Sequence, residues 1–166
     1  LVAHPERLTA LAPDRAWDAP QEPGAGEALQ RAVRDALGQA DPVNADPSDS
    51  DERPPYPGDA AVSQATAALR RAYRDRLTAI VADDLTSANP IEHVPTVCRR
   101  MTELADAALD AALLVARAAV GPRADDVALA VIAMGKTGAR ELNYISDVDV
   151  VYVVGPTHEA CGAQEP

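Results

Sequence analysis

Residues 127–154 read VALAVIAMGKTGARELNYISDVDVVYVV, and the reading of this stretch decides the fold. Residues 127–134 are a continuous apolar run rich in β-branched side chains, with the length of a buried strand rather than of a helix. Gly135-Lys136 turns the chain. Ala139, Arg140, Glu141 and Leu142 are good helix formers, so residues 137–142 are predicted to make about one and a half helical turns. Val148, Val150, Val151, Tyr152, Val153 and Val154 then predict a second strand, and Gly155-Pro156 stops it. The unit is strand, tight turn, short helix, strand.

Two chemistries compete inside it. Gly135-Lys136-Thr137 has the ending of a P-loop, which needs Gly, four residues, then Gly-Lys-Ser/Thr. The first glycine would fall at position 130, which is alanine, and residues 130–134 belong to the strand. A phosphate cradle needs backbone N–H groups turned inward, and a strand ladder has none to spare. The P-loop reading fails. Asp147-Val148-Asp149 fares better. On a strand, residues i and i+2 share a face, so these acids would project together, roughly 6–7 Å apart at Cα, with Val148 and Val150 pointing to the core. Adjacent like charges on a sheet repel, and a divalent cation between them removes that cost. Eleven residues separate Gly135 from Asp147. The glycine bend would let phosphates approach the backbone beside the acids. Lys136 and Ser146 are candidate phosphate donors. The pattern suits metal-assisted nucleotidyl transfer, with Mg²⁺ on Asp147 and Asp149. Inert acids on a solvated strand face are the plainer alternative.

Upstream, the period is helical. Residues 1–40 hold two patches; the second carries Ala28, Leu29, Ala32, Val33, Ala36 and Leu37, with Gly38 as its stop. Residues 20–26 between the patches read as a turn. Residues 41–58 carry five prolines and few large apolar groups, and so read as a linker that cannot offset its ordering entropy. Residues 59–86 form the clearest helix. Leu69, Tyr73, Leu77, Ile80, Val81 and Leu85 make its stripe, and Arg70, Arg71, Arg74, Asp75 and Asp83 lie mostly off it, on a face read as solvated, with a phosphate or an acidic partner on the arginines as the alternative. Residues 87–90 break it. A second long helix is predicted from about Pro95 to Val120, presenting Val97, Met101, Leu104, Ala108, Ala111, Ala112, Val115 and Ala119, and ended by Gly121-Pro122. The short break favours an antiparallel helical hairpin over residues 59–121, ahead of a catalytic core that opens at residue 123.

The bulk properties exclude several classes. A net charge of −11 on 166 residues argues against nucleic-acid and anionic-membrane binding. No run approaches the roughly 18 apolar residues of a membrane span, and the opening residues do not read as the basic-then-apolar pattern of a signal peptide. Cys98 and Cys161 lack metal-ligand spacing and read as free thiols of a reducing, cytoplasmic compartment. His4, His93 and His158 are isolated, with no ligand partner at usable spacing. An alanine-rich chain without phenylalanine implies a thin core.

VIAMGKTGARELNYISDVDVVYVV resembles the signature of the bacterial glutamine synthetase adenylyltransferases, the glutamate–ammonia ligase adenylyltransferase family. That signature has a strand, Gly-Met-Gly-Lys-x-Gly-Gly-x-Glu-Leu-Asn, and Ser-Asp-x-Asp opening the next strand. Here Ala133, Thr137 and Ala139 depart from it, at turn positions rather than at the acids. LRRAYRDRLTAIVADDL and ELADAALDAAL are similar to the family's helical segment, so the resemblance covers about residues 60–154. It implies an α+β chain in which an N-terminal helical segment precedes the first strand-turn-helix-strand unit of a nucleotidyltransferase fold. Such enzymes have two catalytic halves, one adding AMP from ATP to a tyrosine of glutamine synthetase, the other removing it by phosphorolysis to give ADP. The opening LVAHPERLTAL and the wording IAMGK-x-GARELNY are similar to the N-terminal, adenylyl-removing half. The resemblance further implies Mg²⁺ on Asp147 and Asp149, Gly135, Lys136 and Ser146 near phosphates, and Arg140, Glu141 and Asn143 as supports of the turn. Implied partners are glutamine synthetase, ATP or ADP, phosphate and a P-II-type signal protein. The superfamily's third carboxylate lies on a later strand, and Glu159 and Glu165 are poor substitutes. The chain therefore reads as a fragment with an incomplete site and an exposed, association-prone strand edge. A nucleotidyltransferase with another acceptor, a helical interaction module with inert acids and a nonfunctional truncated product are the rival readings.

Overall fold

A computed structural model describes residues 24–38 and 58–157. The first helical patch, the linker up to residue 57, and His4, His158, Glu159, Cys161 and Glu165 lie outside the described residues. In chain order the elements are α1 (Ala25–Leu37), α2 (Asp59–Thr86), α3 (Pro90–Val120), a 3₁₀ turn (Gly121–Asp126), β1 (Val127–Ala133), α4 (Gly135–Gly138) and β2 (Val150–Pro156). The α+β class expected from the sequence holds.

The three long helices share one core. Leu29, Val33 and Leu37 of α1 lie one helical turn apart and are all buried. They meet Ala65 and Ile80 of α2 and Val97, Met101, Leu104 and Ala111 of α3. Each fully buried Leu contributes roughly 1.5–3 kcal/mol. Seven of the fifteen buried apolar side chains among the described residues are alanines, so the helices gain by close approach more than by bulk. Gly38 ends α1 in the left-handed conformation, φ 68°, as expected of its stop. The α1 N-terminus is earlier than expected, since Ala25 and Gly26 are already helical.

Two features of the α2–α3 pair differ from expectation. Leu85 is 75% exposed rather than part of the buried stripe. The face that packs instead runs through Ala65, Ala68, Leu69, Ala72, Tyr73, Leu77 and Ile80, because small residues let α1 and α3 sit close. Helix α3 starts at Pro90, not at Pro95, which lies within it. Pro90 takes the first helical position, where its missing N–H costs nothing, and Asn89 O accepts from His93 N at 3.0 Å. On α3, Ala112 and Ala119 turn out to be exposed, while Ala105, Ala107 and Ala118 are buried.

Asp83 does not lie on a solvated face, nor is His93 isolated. The half-buried Asp83 carboxylate pairs with Arg100 across the joint and lies 3.1 Å from His93 Nε2. Cys98 is a free, half-buried thiol. No helix among the described residues is long and apolar enough to cross a membrane.

After α3, Gly121 turns the chain at φ 75°. Arg117 donates to Ala124 O and Val127 O, each at 3.3 Å, and so fixes where β1 begins. β1 and β2 pair antiparallel, from Val127 opposite Pro156 to Ala133 opposite Val150. The expected buried strands are in fact largely exposed: Ile132 by 48%, Tyr152 by 59% and Val154 by 65%. Neighbouring residues of a strand face opposite ways, so both sides of the ribbon are open. An apolar run marks what could be buried; among the described residues the helices spend their apolar faces on one another and none covers the ribbon.

Candidate functional site

The site lies at the end of the ribbon where Ala133 pairs with Val150. β1 stops at Ala133, and Met134 N donates to Asp149 O at 2.9 Å, which carries the ladder one step beyond the Ala133–Val150 pair. This bond sets Asp149 opposite the bend. Gly135 follows at φ 53°, a conformation that side chains rarely tolerate. A Cβ at Gly135 would lie 3.0 Å from Asp149 Oδ2. The glycine thus serves two ends: it makes the left-handed bend and leaves room for the carboxylate.

The helical turn begins earlier than predicted. It spans Gly135–Gly138, not 137–142, because the left-handed glycine starts the coil and Arg140, at φ 61°, ends it. Gly138 N donates to Met134 O at 2.9 Å and Ala139 N to Gly135 O at 3.0 Å. A Cβ at Gly138 would come within 2.7 Å of Ala133 O, so the turn closes too tightly on β1 for any side chain there. Ala139 is in the right-handed region, where alanine is comfortable, so its departure from the paired glycines costs the backbone nothing. Thr137 is 2% exposed and its Oγ1 has no hydrogen-bond partner among the described residues. An apolar side chain would suit that position better. Lys136 is exposed on the turn.

Residues 141–149 are irregular, so Asp147 and Asp149 precede β2 rather than lying within it. Both acids are exposed. Val148 is also exposed, by 42%, and does not reach a core. Ser146 is half-buried, with its hydroxyl engaged: Oγ donates to Asn143 Oδ1 at 2.8 Å and accepts from Asn143 N at 3.3 Å. Asn143 Oδ1 also accepts from Ile145 N at 3.1 Å. Side chains thus tie this turn where no regular ladder does. Among the described residues no three His, Cys, Asp or Glu side chains gather to hold a metal ion.

Three contacts that sequence reasoning missed hold this loop on the helices. Leu142, 3% exposed, enters the helical core. Arg140 Nη2 lies 3.7 Å from Glu103 Oε1 of α3. Tyr144 Oη donates to Asp84 Oδ2 of α2 at 2.8 Å. Burial first, then the hydrogen bond to Asp84 and its negative charge, push the Tyr144 phenol up to about 12. Only Leu142, one large apolar residue in a polar stretch, left a signal in the sequence. Tyr144 and Asp84 are sixty residues apart and no local pattern links them.

The sequence has close relatives. It is 54% identical over 97 residues to the bifunctional glutamine synthetase adenylyltransferase/adenylyl-removing enzyme of Nocardia farcinica, a match covering 56% of this chain and 10% of that protein. The protein of the same name from Corynebacterium glutamicum is 50% identical over 105 residues, 57% of this chain and 10% of the relative. That of Bifidobacterium longum is 46% identical over 95 residues, 57% and 9% respectively. The chain therefore spans about a tenth of the length of the curated relatives it matches. No solved structure matches it. The profile of the family described as glutamate-ammonia ligase adenylyltransferase matches residues 19–166, nearly the entire chain including the glycine bend and both acids, and the chain belongs to that family.

Proposed function

We propose that residues 134–149 supply the phosphate-binding bend and the carboxylate pair of a nucleotidyltransferase site that acts on glutamine synthetase, in the half that removes AMP from the modified tyrosine. The observation that carries this reading is the Asp149 carboxylate lying against Gly135, where a Cβ would press on it at 3.0 Å. A carboxylate beside a bend free of side chains is where a phosphate and its cation can meet. Asp147 and Asp149 offer hard oxygen donors, which fit Mg²⁺. When bound, that cation would supply charge for the oxygens exchanged at phosphorus.

The chain's own residues do the rest. Gly135 leaves the bend open to a phosphate. Lys136 brings an ammonium that offsets phosphate charge. Asn143 and Ser146 fix the turn from which Asp147 projects, so Ser146 serves by holding the acids as well as by lying near the phosphates. In the reaction, an oxygen of inorganic phosphate bonds to the AMP phosphorus as the bond to the tyrosine oxygen breaks. The products are ADP and a tyrosine whose oxygen has regained a proton. Glutamine synthetase, ATP or ADP and phosphate are the partners this reading names, with a P-II-type protein as regulator and the cytoplasm as the compartment.

The test uses a protein carrying this segment at the full length of its relatives. Adenylylated glutamine synthetase and inorganic phosphate are supplied, and ADP release is followed. Asp147→Asn and Asp149→Asn are each expected to lower turnover by on the order of 10² or more, the scale for losing one preorganised charge-stabilising group. Unchanged ADP release in both variants would overturn the reading. Lowered AMP transfer from ATP with intact ADP release would assign the segment to the opposite half.

A further inference from the structure

We infer that Asp84, at the C-terminal end of α2, is a positioning residue for Asp149 and acts through Tyr144. Asp149 is set against the bend by the end bond of the ladder, Met134 N to Asp149 O at 2.9 Å, one step beyond the Ala133–Val150 pair, in a ribbon that the helices do not cover. The ladder fixes the register of that bond, but an end bond opens most readily, and on its far side only the irregular residues 141–149 hold it closed. Of the three tethers on that stretch, Arg140–Glu103 is exposed and 3.7 Å long, so it contributes little. Leu142 is buried but lies five residues before Asp147. Tyr144 is the tether nearest the acids, and its bond to Asp84, also exposed but at 2.8 Å a true hydrogen bond, joins the loop to the end of α2.

The two adjacent acids of α2 differ in what they are for. Asp83 is engaged by Arg100 and His93 and serves the α2–α3 joint. The Asp84 backbone carbonyl accepts the capping bond from Ser87 N at 3.3 Å, but its carboxylate is poorly placed for α2, because a negative charge near a helix C-terminus is disfavoured by the dipole. Its hydrogen bond goes to the loop. The Asn143–Ser146 turn, which starts next to Tyr144, then passes that fixed point on to Asp147 and Asp149. What the positioned carboxylate does rests on the proposed function; that it is positioned from α2 does not.

Hydrogen exchange on the 166-residue chain tests this. Asp84→Ala is expected to speed exchange of the Met134 and Ile145 amides roughly five- to tenfold, the scale of one lost hydrogen bond, with amides of α1 and α3 unchanged. Tyr144→Phe should match it, and the double variant should add nothing further. Asp84→Asn keeps an oxygen that can accept from Tyr144 and should restore wild-type exchange. In the longer protein, Asp84→Ala should lower kcat and leave KM for phosphate unchanged. Wild-type exchange at Met134 in Asp84→Ala overturns the inference. So does equal acceleration throughout the helices, or failure of Asp84→Asn to restore protection. If Asp147→Asn and Asp149→Asn leave turnover intact while Asp84→Ala frees Met134, the positioning stands and the catalytic reading falls. If those two variants abolish turnover while Met134 is indifferent to residue 84, the catalytic reading stands and the positioning falls.

Discussion

The helical unit and the ribbon are both apolar, yet they treat their apolar residues in opposite ways. In the helices Leu29, Val33 and Leu104 have no exposed surface, whereas in β2 Val151, Tyr152, Val153 and Val154 are each about half exposed or more. Stability in this chain therefore resides in α1–α3, and the acids sit at the end of an element that contributes little of its own. The contrast explains why residues 140–144 reach back to the helices so often: a weakly held ribbon can present a defined carboxylate only if something firmer fixes its end.

Breaking the helical side of this contrast should cost most. Leu104→Ala is expected to destabilise the chain by about 2–5 kcal/mol in urea unfolding followed by circular dichroism, because it empties a fully buried site. Next comes the bend. Gly138→Ala should cost about 1–3 kcal/mol, since its Cβ would press on the Ala133 carbonyl, while Gly155→Ala in β2 meets open space and should cost far less. Thr137→Val should act in the other direction, raising stability by about 1 kcal/mol through removal of a buried hydroxyl with no partner. On the ribbon, Val154→Ala should stay within about 0.5 kcal/mol; a loss as large as that of Leu104→Ala would mean the ribbon is covered after all. Val153→Lys should instead lower concentration-dependent association in sedimentation, by charging an exposed strand. The smallest effect is at alkaline pH. The folded Tyr144 phenol is raised to about 12 from 10.0, so its contribution is intact below pH 10 and fades as the pH climbs towards 12. With Tyr144 nearly half exposed that contribution is small, and a phenolate absorbance titration in which Asp84→Ala lowers the Tyr144 transition in part, the share due to burial remaining, is the sharper measurement.

Much of this architecture was legible because it depends on local chemistry. Gly38 and Gly121 stop helices, the break expected at residues 87–90 falls at 87–89, and the alternation from helical to strand spacing after Pro122 places β1 and β2. What escaped depends on distant partners. A run such as residues 127–134 states its hydrophobicity but not whether anything covers it. Leu85 fits the stripe of α2 by period, yet it lies beyond the reach of α1 and α3. Pro95 resembled a helix start because proline favours that place, but Pro90 had already taken it. At the site, the spacing of Gly135 to the acids predicted a meeting of bend and carboxylate, and Asp149 lies there. The Tyr144–Asp84 bond belongs to tertiary structure alone.

Pro95 has a consequence for how the helical unit comes apart. Having no N–H, it leaves the carbonyl of Ile91 without its usual donor in the helix, and Ile91 and Val94 beside it are exposed. The opening turn of α3 is thus the weakest rung of that helix, and fraying should start there. The His93–Asp83 contact, 3.1 Å across the joint, works as a stitch placed at the one rung that the backbone cannot fasten for itself.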